Sequence, residues 1–118
     1  MTVELWYNAQ CGTARTVRAW LDGHGIEYDV RLYLEAPPTL AELRDVLDKA
    51  DIAAADLLRA KEPLAADLGL RGATDEVAIL TAMAAHPRLI NRPVVIADDR
   101  AALCRPAETV ATLFPAAV

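Results

Sequence analysis

The stretch Val3-Glu4-Leu5-Trp6-Tyr7-Asn8-Ala9-Gln10-Cys11-Gly12-Thr13-Ala14-Arg15 changes its period halfway along, and that change decides the fold. Val3, Leu5 and Tyr7 alternate with Glu4 and Trp6, the period-two signature of a strand. Val17, Trp20, Leu21 and His24 then fall at helical spacing, and Gly25 supplies a C-terminal stop. Cys11 stands at the junction, where a helix N-terminus offers orphan N–H donors and a partial positive charge. Both stabilise a thiolate, and both make a seat for an oxyanion. A free cysteine titrates near ~8.5, and helix N-termini or neighbouring Arg lower that value. Cys11 therefore reads as a nucleophile. Its bland alternative is a buried structural cysteine, which a turn beside Gly12 and Thr13 disfavours.

Working outward, Glu27 to Leu34 reads as a second strand with Tyr28, Val30, Leu32 and Leu34 on one side, completing a β-α-β unit. Pro37-Pro38 ends it. Thr39 and Glu42 form a capping box that opens a helix burying Leu40, Leu43, Val46 and Leu47. Helices are expected at Ile52 to Arg59 and Leu64 to Leu68, separated by Lys61-Glu62-Pro63. Another is capped by Thr74 and runs to about Ala85, with Pro87 stopping it. Val94 to Ala97 and Ala102 to Cys104 read as strands joined at Asp98-Asp99-Arg100. Pro106 is placed at the first position of a last helix whose apolar face is Val110, Leu113 and Phe114.

The order β-α-β, helices, β-β-α is that of an α/β, thioredoxin-like (glutaredoxin-like) domain: a mixed four-stranded sheet, one domain over 1–118, with a helical insertion at about 39–86. Such folds place a proline opposite the cysteine at the first helix; Pro93 is the candidate, and in a related fold its Arg92–Pro93 bond would be cis, although trans is the default for an X-Pro bond in isolation.

At 118 residues and 54% hydrophobic content the chain has ample material for one core. Its apolar runs fall short of membrane-spanning length and its N-terminus lacks a secretory layout, so a soluble, cytoplasmic protein is expected. A net charge of −5 argues against nucleic acid or an anionic membrane as partner. Ten of the twelve basic residues are nevertheless Arg, whose planar fork of donors suits oxyanions. Two cysteines and two histidines, far apart in sequence, lack metal-ligand spacing, and no metal is assigned. His24 and His86 fall at helix C-termini, where the dipole accounts for them.

The ordered set Asn8 with Cys11-Gly12-Thr13 and Arg15, Tyr33-Leu34-Glu35-Ala36-Pro37-Pro38-Thr39, Leu57-Leu58-Arg59, His86-Pro87, Leu89-Ile90-Asn91-Arg92-Pro93 and Leu103-Cys104-Arg105-Pro106 resembles the glutaredoxin-linked arsenate reductase family. It runs through nearly the whole chain. The resemblance implies that Cys11 attacks arsenate while Arg59, Arg92 and Arg105 hold the oxyanion and the thiol–arsenic adduct, with Asn8, Gly12 and Thr13 beside them. It also implies glutathione as co-substrate, glutaredoxin as the protein that reduces the mixed disulfide, and no tightly bound cofactor. A monomer is the default. Tyr7 stands where the best-known members often carry His, and Ala9-Gln10 where a proline is common. Tyr7 lacks a protonated histidine's charge but could donate a hydrogen bond to the thiolate, so weaker activation of Cys11 is expected.

Two other readings are open at this level: a thiol oxidoreductase of the same fold with a different substrate, and a redox adaptor that binds RNA polymerase. The second usually carries Cys-x-x-Cys, whereas Ala14 occupies the second position here. A phosphatase-like loop needs Cys-x5-Arg, and Val17 stands where that arginine would be. Cys104, in an apolar strand-like run, reads as a small core residue, with a resolving thiol as the lesser alternative.

Overall fold

Residues 2–117 are described in the computed structural model, and four short strands, β1 (Val3–Trp6), β2 (Asp29–Arg31), β3 (Val94–Ala97) and β4 (Arg100–Leu103), form its sheet in the order β2-β1-β3-β4. β1 runs parallel to β2 and antiparallel to β3, and β3 runs antiparallel to β4. This mixed sheet is the thioredoxin-like arrangement expected from the sequence. The parallel pair needs a crossover, which α1 (Gly12–Gly23) provides, whereas β3 and β4 need only the tight turn at Asp98, whose φ is 54°.

The alternation in β1 divides the core in two. Val3, Leu5 and Tyr7 point to α1, where they meet Ala14, Val17 and Leu21, together with Val110, Leu113 and Phe114 from the 3-10 helix Ala107–Leu113. Trp6 and Val94 face the other way, under α2 (Leu40–Ala50), α3 (Ala54–Leu57), α4 (Pro63–Asp67) and α5 (Glu76–Ala85). The sheet is thus covered on both faces.

Several expectations are corrected. β2 spans three residues, and Val30, Leu32 and Leu34 are exposed while Tyr33 is buried. With a neighbour on one side only, β2 stops early; Arg31 then ties the following turn down by donating to the Ala36 and Pro37 carbonyls and to Glu42. Arg59 is not helical: α3 ends at Leu57, and Leu58 forms an antiparallel bridge with Ile90. Asp75, not Thr74, caps α5, its carboxylate accepting from the Ala78 amide at 3.2 Å. Pro106 precedes the last helix as its cap, and that helix has 3-10 geometry. The Thr39–Glu42 capping box is formed as expected, with both reciprocal bonds present.

Candidate functional site

Cys11 is the N-cap of α1, with extended backbone (φ −95°, ψ 118°) and no side-chain cap on the helix. No acidic residue occupies the first turn, so no carboxylate there offsets the positive end of the dipole. The loop that delivers the thiol is self-bonded. The Cys11 amide donates to the Asn8 carbonyl at 3.0 Å, the Gln10 amide to Asn8 Oδ1 at 3.0 Å, and Arg15 Nη1 to the Ala9 carbonyl at 2.7 Å. Asn8 therefore builds the loop. Gly12 leaves room for a side chain, since a Cβ there would meet Arg15 at an ordinary 3.6 Å.

Two of the three expected arginines reach the sulfur. Arg105 Nη1 lies 3.8 Å from Cys11 Sγ and also donates to the Arg92 carbonyl at 3.2 Å. Arg92, preceding a cis proline, stands close enough for its positive charge to act on the thiol. Cys11 is 6% exposed. Burial pushes its pKa upward, but the Ala14 amide, the Arg92 guanidinium and the Thr13 amide outweigh it and hold the thiol below its ordinary value.

Arg59 comes in from the helical side. The Leu58–Ile90 bridge is flanked by bonds from the Arg59 amide to the Leu89 carbonyl, 2.8 Å, and from the Asn91 amide to the Leu57 carbonyl, 2.7 Å. These lay the Arg59 segment beside the Asn91-Arg92 segment. Arg59 and Arg105 consequently line one depression, together with Lys61 and Asn91. Arg59 is partly engaged by Glu62, at 3.6 Å, which Arg88 also approaches at 3.7 Å.

Tyr7 does not serve the sulfur; among the described residues it makes no hydrogen bond to Cys11. Its ring lies under the Arg18 guanidinium, 4.9 Å from the centroid, and Arg18 Nε donates to the Tyr28 hydroxyl at 3.2 Å. Activation of Cys11 comes instead from backbone amides and Arg92. Cys104 is fully buried, and burial pushes its thiol up to about 12.

The sequence assigns no site role to Lys61, Asn91 or Tyr33, although Asn91 and Tyr33 fall within the motif stretches quoted above. Lys61 reads as part of a linker. The alternation of its apolar neighbours sets Tyr33 on the solvent side, whereas the folded chain buries it.

The profile of the ArsC family matches residues 6–113. An arsenate reductase of Rhizobium meliloti is 40% identical over 116 residues, covering 98% of this chain and 83% of its own. An arsenate reductase of Neisseria meningitidis serogroup A is 37% identical over 110 residues, covering 92% and 94%. Among solved structures, an arsenate reductase from Vibrio cholerae superposes with a TM-score of 0.91 at 33% identity, covering 97% of this chain and 98% of its own. A family match across most of the chain, relatives of matching length and a shared backbone agree: this chain belongs to the ArsC family.

Proposed function

We propose that this protein reduces arsenate to arsenite, with Cys11 as nucleophile and Arg59, Arg92 and Arg105 as the oxyanion cradle. The observation that carries this reading is the approach of Arg105 and Arg92 to a helix-capping thiol held below its ordinary pKa. Relatives of closely similar length named arsenate reductase support it. A tetrahedral dianion in a half-dry site needs positive charge from several sides, and each charge-assisted hydrogen bond contributes roughly 1.5–3 kcal/mol. Guanidinium forks from three segments supply that.

In the proposed sequence the Cys11 thiolate attacks arsenic, an arsenate oxygen leaves as water, and a Cys11–S–As(V) adduct forms. Glutathione adds to the arsenic with loss of a second water. Both As–S bonds then break as the glutathione sulfur bonds to Cys11 Sγ; arsenic keeps one electron pair, takes back one water and departs as arsenite. Glutaredoxin reduces the Cys11–glutathione disulfide. An external thiol is required because Cys104 is buried, with a thiol pushed up to about 12, and so is a poor resolving partner. Glutathione would approach along the groove lined by Gly12, Thr13, Arg15 and Pro106, which borders the same helix end.

The test is arsenate-dependent oxidation of glutathione in the presence of glutaredoxin, followed through NADPH consumption by glutathione reductase. Wild type is expected to turn over and Cys11→Ser to stay at background. Equal rates in the two would end the proposal.

A further inference from the structure

Among the described residues, only two buried side-chain polar atoms lack a hydrogen-bond partner, the Tyr33 hydroxyl and Arg92 Nε. Both belong to the same region. Tyr33 is 1% exposed, and its hydroxyl stands within electrostatic reach of Arg92, Cys11 and Arg59. The Asn8 amide approaches it without closing a hydrogen bond. A buried hydroxyl left unpaired is costly, and such a group in a native structure calls for an explanation, a bound ion or a catalytic role among them.

We infer that the Tyr33 hydroxyl is a further donor to the oxyanion bound at Cys11, acting beside the three arginines; this rests on the oxyanion reading above. The orientation follows from the charges. The guanidinium groups of Arg92 and Arg59 draw the oxygen end of the hydroxyl dipole toward themselves and leave its proton for an anion. Burial, the largest influence, raises the phenol's pKa against the opposing pull of Arg92, so the group stays protonated across the working pH range. It therefore adds a hydrogen bond without adding charge. Unlike an arginine on a long flexible stem, it has its ring buried in the apolar cluster that also contains Trp6 and Leu43.

The test uses inorganic arsenate titrated calorimetrically into the full-length chain carrying Cys11→Ser, which removes the covalent step, with and without Tyr33→Phe. Phenylalanine fills the same volume and deletes only the unpaired hydroxyl. The dissociation constant is expected to rise roughly tenfold to a hundredfold, the equivalent of one hydrogen bond to a charged group. The melting temperature of the ligand-free protein is expected to hold or increase, because nothing in the empty fold bonds to that oxygen. Arsenate binding equally tight in both proteins overturns the inference and leaves the oxyanion reading intact. Loss of affinity accompanied by a lower ligand-free melting temperature also overturns it, since that is the mark of a packing role. If arsenate binds neither protein, the inference and the reading beneath it fall together.

Discussion

At Cys11, burial and positive charge act in opposite directions on one sulfur, and the charge wins. Alkylation by iodoacetamide, which consumes thiolate, should therefore reach half its maximal rate at a lower pH than for a free cysteine measured alongside. Arg92→Ala should move that midpoint upward, because it deletes both a hydrogen bond and a nearby charge while the helix amides remain. An unchanged profile in Arg92→Ala would refute the assigned cause. Cys104 behaves oppositely. Its thiol, pushed up to about 12, should ignore a thiol reagent at pH 8, so the folded chain should titrate as one reactive sulfur and the denatured chain as two. Cys104→Ala should cost about 1 kcal/mol of stability for the lost packing and leave turnover unaltered. The placements of these two sulfurs are legible in the sequence because each follows from position, one at a strand-to-helix junction and the other inside an apolar run. Tyr33 was not legible. A one-residue error in which face of a strand is buried reverses every side chain on it, and the neighbours Val30, Leu32 and Leu34 outvoted Tyr33 in a segment where only Asp29–Arg31 is strand.

At the level of elements, the capping box of α2 joins the sheet edge to the helical segment. Thr39 Oγ1 accepts from the Glu42 amide, the Glu42 carboxylate accepts from the Thr39 amide, and Arg31 of β2 grips the same carboxylate. The Arg31 guanidinium, ahead of the opposing effect of burial and with help from the Thr39 amide, holds Glu42 below the usual carboxylate range. A carboxylate with a depressed folded-state pKa stabilises the fold above its unfolded value, ~4.3, and that contribution disappears as pH falls through the folded value. Melting curves of wild type and Glu42→Gln should therefore differ at pH 7 and converge in acid. Curves that stay parallel down to pH 2 would show that the ionised carboxylate is not the cause. Thr39→Ala should cost about 1 kcal/mol at pH 7, as it removes the cap on α2. The Thr39–Glu42 signal was readable because a capping box is local. The end of α3 was not, because what terminates it is the Leu58–Ile90 bridge to a segment more than thirty positions along the chain, and that contact also decides where Arg59 points.

Across the whole molecule, the site gathers what the chain order scatters. Cys11 comes from the sheet face packed on α1, Arg59 from the segment that follows α3, and Arg92 and Arg105 from the two segments that flank the open end of the β3–β4 hairpin. An anion seated among them ties both cores to one another through the sheet. Its binding energy should then appear as global stability and not as local order. For a ligand that binds only the folded state, stabilisation follows RT ln(1 + [L]/Kd), about 2.7 kcal/mol at one hundred times Kd. In Cys11→Ser protein saturated to that level with arsenate, the slowest amides of β1 and β3 should exchange roughly a hundredfold more slowly, since they open only by complete unfolding. The amides of α2 and of Val110 and Leu113, on opposite faces, should slow by the same factor to the extent that they too exchange through global opening. Arg92→Ala should lose most of the effect. Protection confined to the Cys11 loop and the Arg59 segment, with the central strands unmoved, would mean that the two cores unfold independently and that an anion at this site does not bind the molecule into one cooperative unit.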